Sequence, residues 1–228
     1  MLSYGELSNL AMSGEGSGVI AENKKQQIIS FANEALLRLH TKFILAERSL
    51  ILELQEGQTL YQLTSQHAVQ SFDPSVIGVP YIIDTPWNKF EDDLIRVLNV
   101  QNSWGQSRPL NDTKRVDSCF TPSFLVLQVP RTQLKEVISV GYQAKHKELT
   151  YTSEGEDSEI TLSDPLHGAL TAFIAHKVYQ GMNTQESLAI SQMHIAMFDS
   201  ICNDAQEMDF LNTSISETNT RFNDRGWI

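Results

Sequence analysis

The chain has 228 residues, of which 41% are hydrophobic and 20% charged, and its 28 acidic and 17 basic side chains give a formal net charge of −11. No apolar run reaches the roughly 18 residues of a membrane-spanning helix, and no basic segment followed by an apolar core predicts a secretory signal. An acidic surface without a dense Lys/Arg cluster argues against a sequence-reading DNA-binding protein, and Cys119 and Cys202 have neither disulfide-framework nor zinc-ligand spacing.

A long helix is the first strong prediction, from Glu22 to about Ala46. It would be a rod of roughly 37 Å. A glycine-rich segment before it, residues 13–18, fits a hinge better than a phosphate-binding loop, because no strand precedes it. The helix needs partners to cover one apolar stripe, and we expect them at residues 165–180 and 185–206. The stripe comprises Ile28, Ala32, Ala35, Leu36, Leu39 and Phe43.

The residue pattern in the middle of the chain indicates β-structure. Short apolar runs rich in β-branched residues are separated by glycine and proline, which favours five to seven antiparallel strands with short connections. An acidic segment from Glu154 to Glu159 fits a solvated loop, since its spacing does not match a calcium loop. The predicted elements are a hairpin over Leu50–Leu63, an edge strand near Val79–Ile83, a strand over Leu94–Val100, a turn at Trp104–Gly105, a buried strand over Phe124–Val129 and a strand over Glu136–Ala144.

Two helices are predicted after the β-rich segment. Asp164 and Pro165 form a helix start, and Gly181 is expected to end that helix. Asn183 and Glu186 predict a capping box for the next helix. That helix has one apolar side with Leu188, Ile195, Phe198 and Cys202 and another with Met193, Met197 and Ile201, which favours packing between two neighbours.

These elements together predict an α+β fold. Residues 1–48 and 160–207 would form a helical bundle, made of the long N-terminal helix and the two C-terminal helices. Residues 49–159 would form an antiparallel β-rich insertion, and residues 208–228 an extended C-terminal arm. The arm is polar until its last eight residues, where two aromatic side chains have no evident core to join. Either the tail packs loosely on itself or it inserts Phe222 and Trp227 into a partner protein.

No recognisable catalytic or metal-binding motif occurs in the chain. The six histidines do not form a His-Glu-x-x-His pattern, no Gly-x-Ser-x-Gly segment is present, and neither cysteine has the local sequence of an activated thiol. We therefore expect neither an enzyme, nor a metal ion, nor a cofactor.

Five segments in order resemble the head-to-tail adaptor (connector) proteins of short-tailed bacteriophages. The resemblance extends over nearly the whole chain. It lies in Tyr4–Leu10, Asn33–Leu39, Glu53–Leu63, Asp164–Leu166 and Arg221–Trp227.

The resemblance implies a virion structural protein without catalytic activity. It implies a homo-oligomeric, dodecameric ring between the portal protein and the tail, with tail nozzle, tube or fibre proteins as further partners. DNA would pass through the channel during ejection without sequence-specific binding, and no membrane would be involved. The protein would be made in the host cytoplasm and reside at the head–tail interface of the virion.

The resemblance also assigns a portal-binding arm to Arg221, Phe222, Asn223, Arg225, Gly226, Trp227 and Ile228. From the apolar patterns we expect bundle or inter-subunit packing by Ile28, Leu36, Leu39, Phe43, Met193, Met197 and Ile201. The alternatives are another phage tail or assembly protein, or a soluble enzyme that carries no recognisable motif.

Overall fold

The structure is a computed structural model that describes residues 22–71, 79–86, 89–131, 136–150 and 160–208. These residues form two compact units. The helical unit comprises the described residues up to Leu45 and from Glu148 onward, and the β unit extends from Ala46 to Lys147. The predicted hinge, the acidic segment Glu154–Glu159 and the C-terminal arm beyond Met208 lie outside the described residues.

Three helices build the helical unit: α1 (Glu22–Lys42), α2 (Asp164–Met182) and α3 (Gln185–Glu207). The predicted start of α2 is confirmed to within one residue, because Ser163 is the N-cap and Pro165 lies in the first turn. Asn33 on α1 holds the segment after the β unit, since its side chain accepts from Leu149 N at 2.9 Å and donates to Leu149 O at 3.0 Å. Side chains from all three helices meet in one core, which includes Ile28, Leu36, Leu39, Leu166, Leu170, Phe173, Phe198 and Cys202.

The predicted fold class is wrong, because no bundle is built around a long N-terminal helix. The first helix, α1, has 21 residues and ends at Lys42, whereas α3 has 23. The helix on which both others pack is α2. The physical reason is that α1 carries a single apolar stripe, whereas α2 is apolar around most of its circumference and can be covered from two sides. The buried residues of α2 are Leu166, Ala169, Leu170, Ala172, Phe173, Ile174 and Ala175.

The connection between α2 and α3 also differs from the prediction. Asn183 does not cap α3, because it adopts a left-handed conformation (φ 52°) that ends α2. Thr184 is the N-cap of α3: its hydroxyl accepts from Ser187 N at 3.2 Å, and Ser187 completes the capping box in place of Glu186. A short polar side chain at either position can bond back to the backbone, so the local sequence is consistent with both arrangements.

Eight strands occur among the described residues of the β unit, more than predicted. All strand pairings are antiparallel. One sheet has five strands in the order β3-β1-β8-β4-β5, and the other has three in the order β2-β7-β6. The strands are β1 (Glu47–Glu53), β2 (Leu60–Gln62), β3 (Ile82–Ile83), β4 (Leu94–Asn102), β5 (Ser107–Arg108), β6 (Phe120–Ser123), β7 (Val126–Gln128) and β8 (Val137–Ala144).

The prediction of a hairpin over Leu50–Leu63 is wrong. The first strand, β1, pairs with β3 and β8, whereas β2 pairs with β7 in the other sheet. The chain between them folds around the buried side chain of Tyr61, whose hydroxyl accepts from Gln55 N at 2.9 Å and donates to Gln58 O at 2.9 Å. These contacts replace the backbone ladder that a hairpin would have formed.

The turn at Trp104–Gly105 is confirmed. Gly105 has φ 74°, and the side-chain oxygen of Asn102 accepts from the backbone N–H groups of Trp104 (3.0 Å) and Gln106 (2.9 Å). The buried strand predicted over Phe124–Val129 is shorter than expected, because Phe124 lies in the turn before β7 and is exposed.

Candidate subunit interface

One face of α3 belongs to the core of the helical unit. Ser187, Ser191, Phe198, Cys202 and Ala205 are buried there, at steps of three, four and seven residues. Because a helix has 3.6 residues per turn, side chains with this spacing share one side. This face fixes how α3 is oriented on α2 and therefore which other side chains point outward.

A second apolar row on α3 is exposed to solvent. Ile190, Met193 and Met197 are 37%, 60% and 51% exposed, and they too follow one another at steps of three and four residues. We call these three residues the α3 stripe. The exposed acids Glu186 and Asp204 continue the same row at its two ends, so the stripe is an apolar surface bounded by negative charge.

Covering the α3 stripe with a partner chain would be energetically favourable. Scattered exposed apolar residues are normal, but a contiguous row is typical of an interaction surface. Burying a methionine or isoleucine side chain completely is worth about 1.5–3 kcal/mol. Because these three side chains are already partly covered, a second chain over them would gain roughly half of that per residue.

The charges on the helices are divided unevenly. The sequence of α3 contains four acidic residues and no lysine or arginine, which gives it a net charge of −4. The sequence of α1 contains four lysine or arginine residues against two glutamates, which gives it a net charge of +2. Arg38 and Lys42 are four residues apart and share one side of α1, and Arg38 lies 3.5 Å from Glu34 in an ion pair. Leu37, which is 48% exposed, lies about 100° around the helix axis from Arg38. The sequences of the two outer helices therefore carry net charges of opposite sign.

The structure places the predicted packing residues in two different environments. Ile28, Leu36, Leu39 and Phe43 are buried in the core of the helical unit, so another subunit cannot reach them. Met193 and Met197 lie in the exposed stripe. Ile201 is half-buried beside Gly168 of α2, with its terminal carbon 3.3 Å from the Cβ position of that glycine.

The predicted portal-binding residues Arg221, Phe222, Asn223, Arg225, Gly226, Trp227 and Ile228 lie outside the described residues. Sequence reasoning missed Ile190 and Leu37 as exposed members of helix surfaces. The available signal was the spacing from Glu186 through Ile190, Met193 and Met197 to Asp204, whose steps of four, three, four and seven residues keep these side chains on one side of a helix. The prediction put Leu188 on one apolar side of this helix with Ile195, Phe198 and Cys202; Phe198 and Cys202 are buried, whereas Leu188 is 41% exposed.

Both cysteines and the Ser191–His176 pair have structural roles. Burial raises the pKa of both Cys119 and Cys202, which keeps these thiols protonated and unreactive. His176 and Ser191 form a serine–histidine contact, but Ser191 is buried between α2 and α3 and donates to the carbonyl oxygen of His176. Among the described residues, no group of three or more His, Cys, Asp or Glu side chains could hold a metal ion.

A polar cleft of about 800 Å³ lies on the outer face of the five-stranded sheet. Glu47, Ser49, Asn99, Gln101 and Ser139 line it, and it is open to solvent. Pockets for small molecules are mostly apolar with a few polar groups, the reverse of this lining. The α3 stripe is therefore the better candidate for a functional surface.

In the described part of the chain, no helix is both long and apolar enough to cross a membrane. Comparison with known proteins gives no assignment, because neither a protein-family model nor a curated protein matches the chain.

Proposed function

We propose that this protein is a virion structural protein, a subunit of the head-to-tail adaptor ring that joins the portal to the tail of a short-tailed bacteriophage. The observation that carries the proposal is the α3 stripe, an exposed apolar row on a helix that already contributes another face to the core. The class of protein named in the proposal comes from the five ordered segments that resemble adaptor proteins.

A ring subunit needs lateral surfaces that only another chain covers. The apolar centre and charged ends of the α3 stripe match the usual anatomy of a protein interface, which has a hydrophobic core and a polar rim. A monomeric enzyme gains nothing from exposing Met193 and Met197, whereas a ring subunit buries such side chains against its neighbour.

The charge of the chain suits the wall of a DNA channel. A net charge of −11 provides few cations to neutralise phosphates, and phosphate neutralisation supplies most of the affinity of non-specific DNA binding. DNA can then pass through the ring without being retained by it.

The arm supplies the proposed contact with the portal. Phe222 and Trp227, with Arg221 and Arg225 beside them, are the residue types that dominate binding free energy at protein interfaces. We propose that both aromatic side chains enter pockets on the portal ring.

The test is binding to purified portal rings by the full chain, by a chain lacking residues 219–228, and by the point variant Trp227→Ala. We expect the truncated chain to fold but not to bind. Loss of a hot-spot side chain costs about 2 kcal/mol or more, so Trp227→Ala should weaken binding roughly 30-fold.

The matched control is Thr220→Ala, which should bind like the unmodified chain. If the truncated chain binds portal rings with full affinity, the arm assignment is wrong. If mature particles lack the protein, it is an assembly factor and not an adaptor.

A further inference from the structure

We infer that the α3 stripe of the free chain is covered by the N-terminal segment of the same chain, from Tyr4 to Ala11. This segment lies outside the described residues, so its sequence and its connection to α1 carry the inference. The inference rests on the proposed function in one respect only: the covered surface is the one that a neighbouring ring subunit would use. The segment would keep that surface covered until a neighbour displaces it.

The apolar residues of the N-terminal segment have the same spacing as the α3 stripe. Steps of three and four residues separate them, and they are Tyr4, Leu7 and Ala11. The stripe has the same two steps in the same order. On α-helices both rows would lie on one side and extend over about 10 Å. Two helices with such rows can pack along the whole length of both rows.

The charges of the two surfaces do not oppose this contact. The charged side chain of the N-terminal segment, Glu6, would lie about 100° around a helix axis from Leu7 and so face away from the apolar row. The acids at the ends of the stripe, Glu186 and Asp204, lie about 6 and 10 Å beyond its outermost residues along the axis. An uncharged row can therefore meet the apolar centre of the stripe without burying a charge.

The described helices place the start of α1 near the start of α3. Near the end of α1, Nζ of Lys42 lies 3.3 Å from Oδ1 of Asn203 on α3. Earlier in α1, Glu34 pairs at 2.9 Å with Lys177 of α2, and the residue before Lys177 contacts Ser191 of α3. The two helices therefore run in the same direction, and the chain enters α1 close to the end of α3 from which the stripe begins.

The chain before α1 is long enough to reach the stripe. Glu34 is about 18 Å along the helix axis from the start of α1 at Glu22. Asn203, which α1 contacts, lies about 120° around the α3 axis from Met197, so the path must also cross roughly 25 Å of helix surface. The direct distance is then on the order of 30 Å, whereas the chain from Ala11 to Glu22 can span roughly 36 Å. The glycine-rich segment within it allows the path to bend.

The chain after α3 is a poorer match for the stripe. Leu211 can be at most about 10 Å from Met208, whereas Met197 lies about 16 Å back along the helix. Phe222 and Trp227 could reach the stripe, but they are five residues apart, which would place them about 140° apart around a helix axis. The N-terminal segment is therefore the occupant to which we commit.

The inference is tested by the rate at which iodoacetamide alkylates the full-length variant Met193→Cys. The native cysteines contribute little background, because Cys119 and Cys202 are buried. Adding Leu7→Ser should raise the alkylation rate by about tenfold or more, since a polar side chain weakens the apolar contact that shields residue 193. The same rate with and without Leu7→Ser would overturn the inference.

The matched control is Gln192→Cys, because Gln192 is exposed and about 100° around the α3 axis from Met193. Its alkylation rate should not change when Leu7→Ser is added. Shielding of Met193→Cys that disappears on dilution would show that a second copy covers the stripe. Shielding that disappears in a chain lacking residues 219–228 would show that the C-terminal arm covers it. Either result would overturn the inference.

A second measurement does not depend on how Leu7→Ser folds. The full-length variant Leu7→Cys/Met193→Cys should form a disulfide within one chain at a rate that is independent of protein concentration. The control pair Leu7→Cys/Gln192→Cys should form it much more slowly. Equal rates for the two pairs, or disulfides only between chains, would contradict the proposed contact.

Portal binding by the same chains separates this inference from the proposed function. Chains that bind portal rings but do not shield residue 193 refute only the contact of the N-terminal segment. Chains that shield residue 193 but do not bind portal rings support this contact and refute only the adaptor assignment.

Discussion

Ser191 and His176 hold α3 against α2. The Ser191 hydroxyl lies 2.8 Å from Nδ1 of His176 and donates to the carbonyl oxygen of His176 at 3.1 Å. Nδ1 is also 3.0 Å from the carbonyl oxygen of Ser191, so each residue contacts the other through both its side chain and its backbone. This contact helps to fix the rotation of α3 and with it the outward direction of the α3 stripe.

Ser191→Ala should therefore lower the free energy of unfolding by about 1–2 kcal/mol, because it leaves buried polar groups of His176 with fewer partners. Urea unfolding followed by circular dichroism measures the change. Ser200→Ala, on the exposed side of the same helix, is the control and should change stability by less than about 0.5 kcal/mol. Equal effects at the two positions would contradict the role given to Ser191.

Asn99 and Gly141 are cross-strand neighbours on β4 and β8, and the Asn99 side chain occupies the space above the glycine. A Cβ at position 141 would come within 2.5 Å of Asn99 Oδ1. Gly141→Ala should displace Asn99 and break its 3.3 Å hydrogen bond to Glu47. We expect this substitution to destabilise the protein by up to about 1 kcal/mol, because the amide can rotate away.

A double-mutant cycle tests this account of Gly141. In an Asn99→Ala background the clash is absent, and Gly141→Ala should then be neutral or stabilising, since alanine restricts the unfolded chain more than glycine does. The expected coupling is about 1 kcal/mol. Additive effects of the two substitutions would show that the position of the Asn99 side chain does not depend on the absence of a Cβ at residue 141.

We expect Tyr81 to lower the free energy of unfolding at high pH. Burial raises the pKa of its hydroxyl from 10.0 to about 12, and this hydroxyl accepts from Gln62 N and donates to Gln62 O. Below pH 10 both the folded and the unfolded chain keep the proton, so the stabilisation is fully present. Between pH 10 and 12 only the folded chain keeps it, and stability should fall by about 1.4 kcal/mol per pH unit.

Tyr81→Phe should lower stability by about 1–2 kcal/mol at neutral pH through the lost hydrogen bonds. It should also reduce the slope of unfolding free energy against pH above pH 10. Urea titrations at a series of alkaline pH values measure both effects. A slope identical to that of the unmodified protein would show that Tyr81 titrates alike in the folded and unfolded states.

Local features could be predicted because they depend on residues close together in the chain. The start of α2 at Asp164–Pro165 follows from the fixed φ of proline, and the turn at Gly105 follows from the positive φ that glycine tolerates. The strand β8 follows from the alternation of Ile138, Val140 and Tyr142 on one face of the sheet. The portal-binding role of residues 221–228 remains a prediction.

Which elements become neighbours could not be predicted in the same way. An apolar row in the sequence shows only that a side chain favours burial, and the distant segment that buries it decides the outcome. Thus β1 pairs with β3 at Ile83 and with β8 at Val140, and not with the adjacent β2. Among the described helices, α1 is peripheral and α2 central, because α2 offers apolar surface on more than one side.

By itself the sequence determined that the last helix has two apolar sides, since the spacing of Met193, Met197, Phe198 and Cys202 fixes their angles around the helix axis. Only the tertiary structure decided which of these sides is buried. The core of the helical unit has room for Phe198 and Cys202 next to Phe173, and once they are buried Met193 and Met197 must face outward. Burial is a property of the assembled core, and no spacing along one helix can specify it.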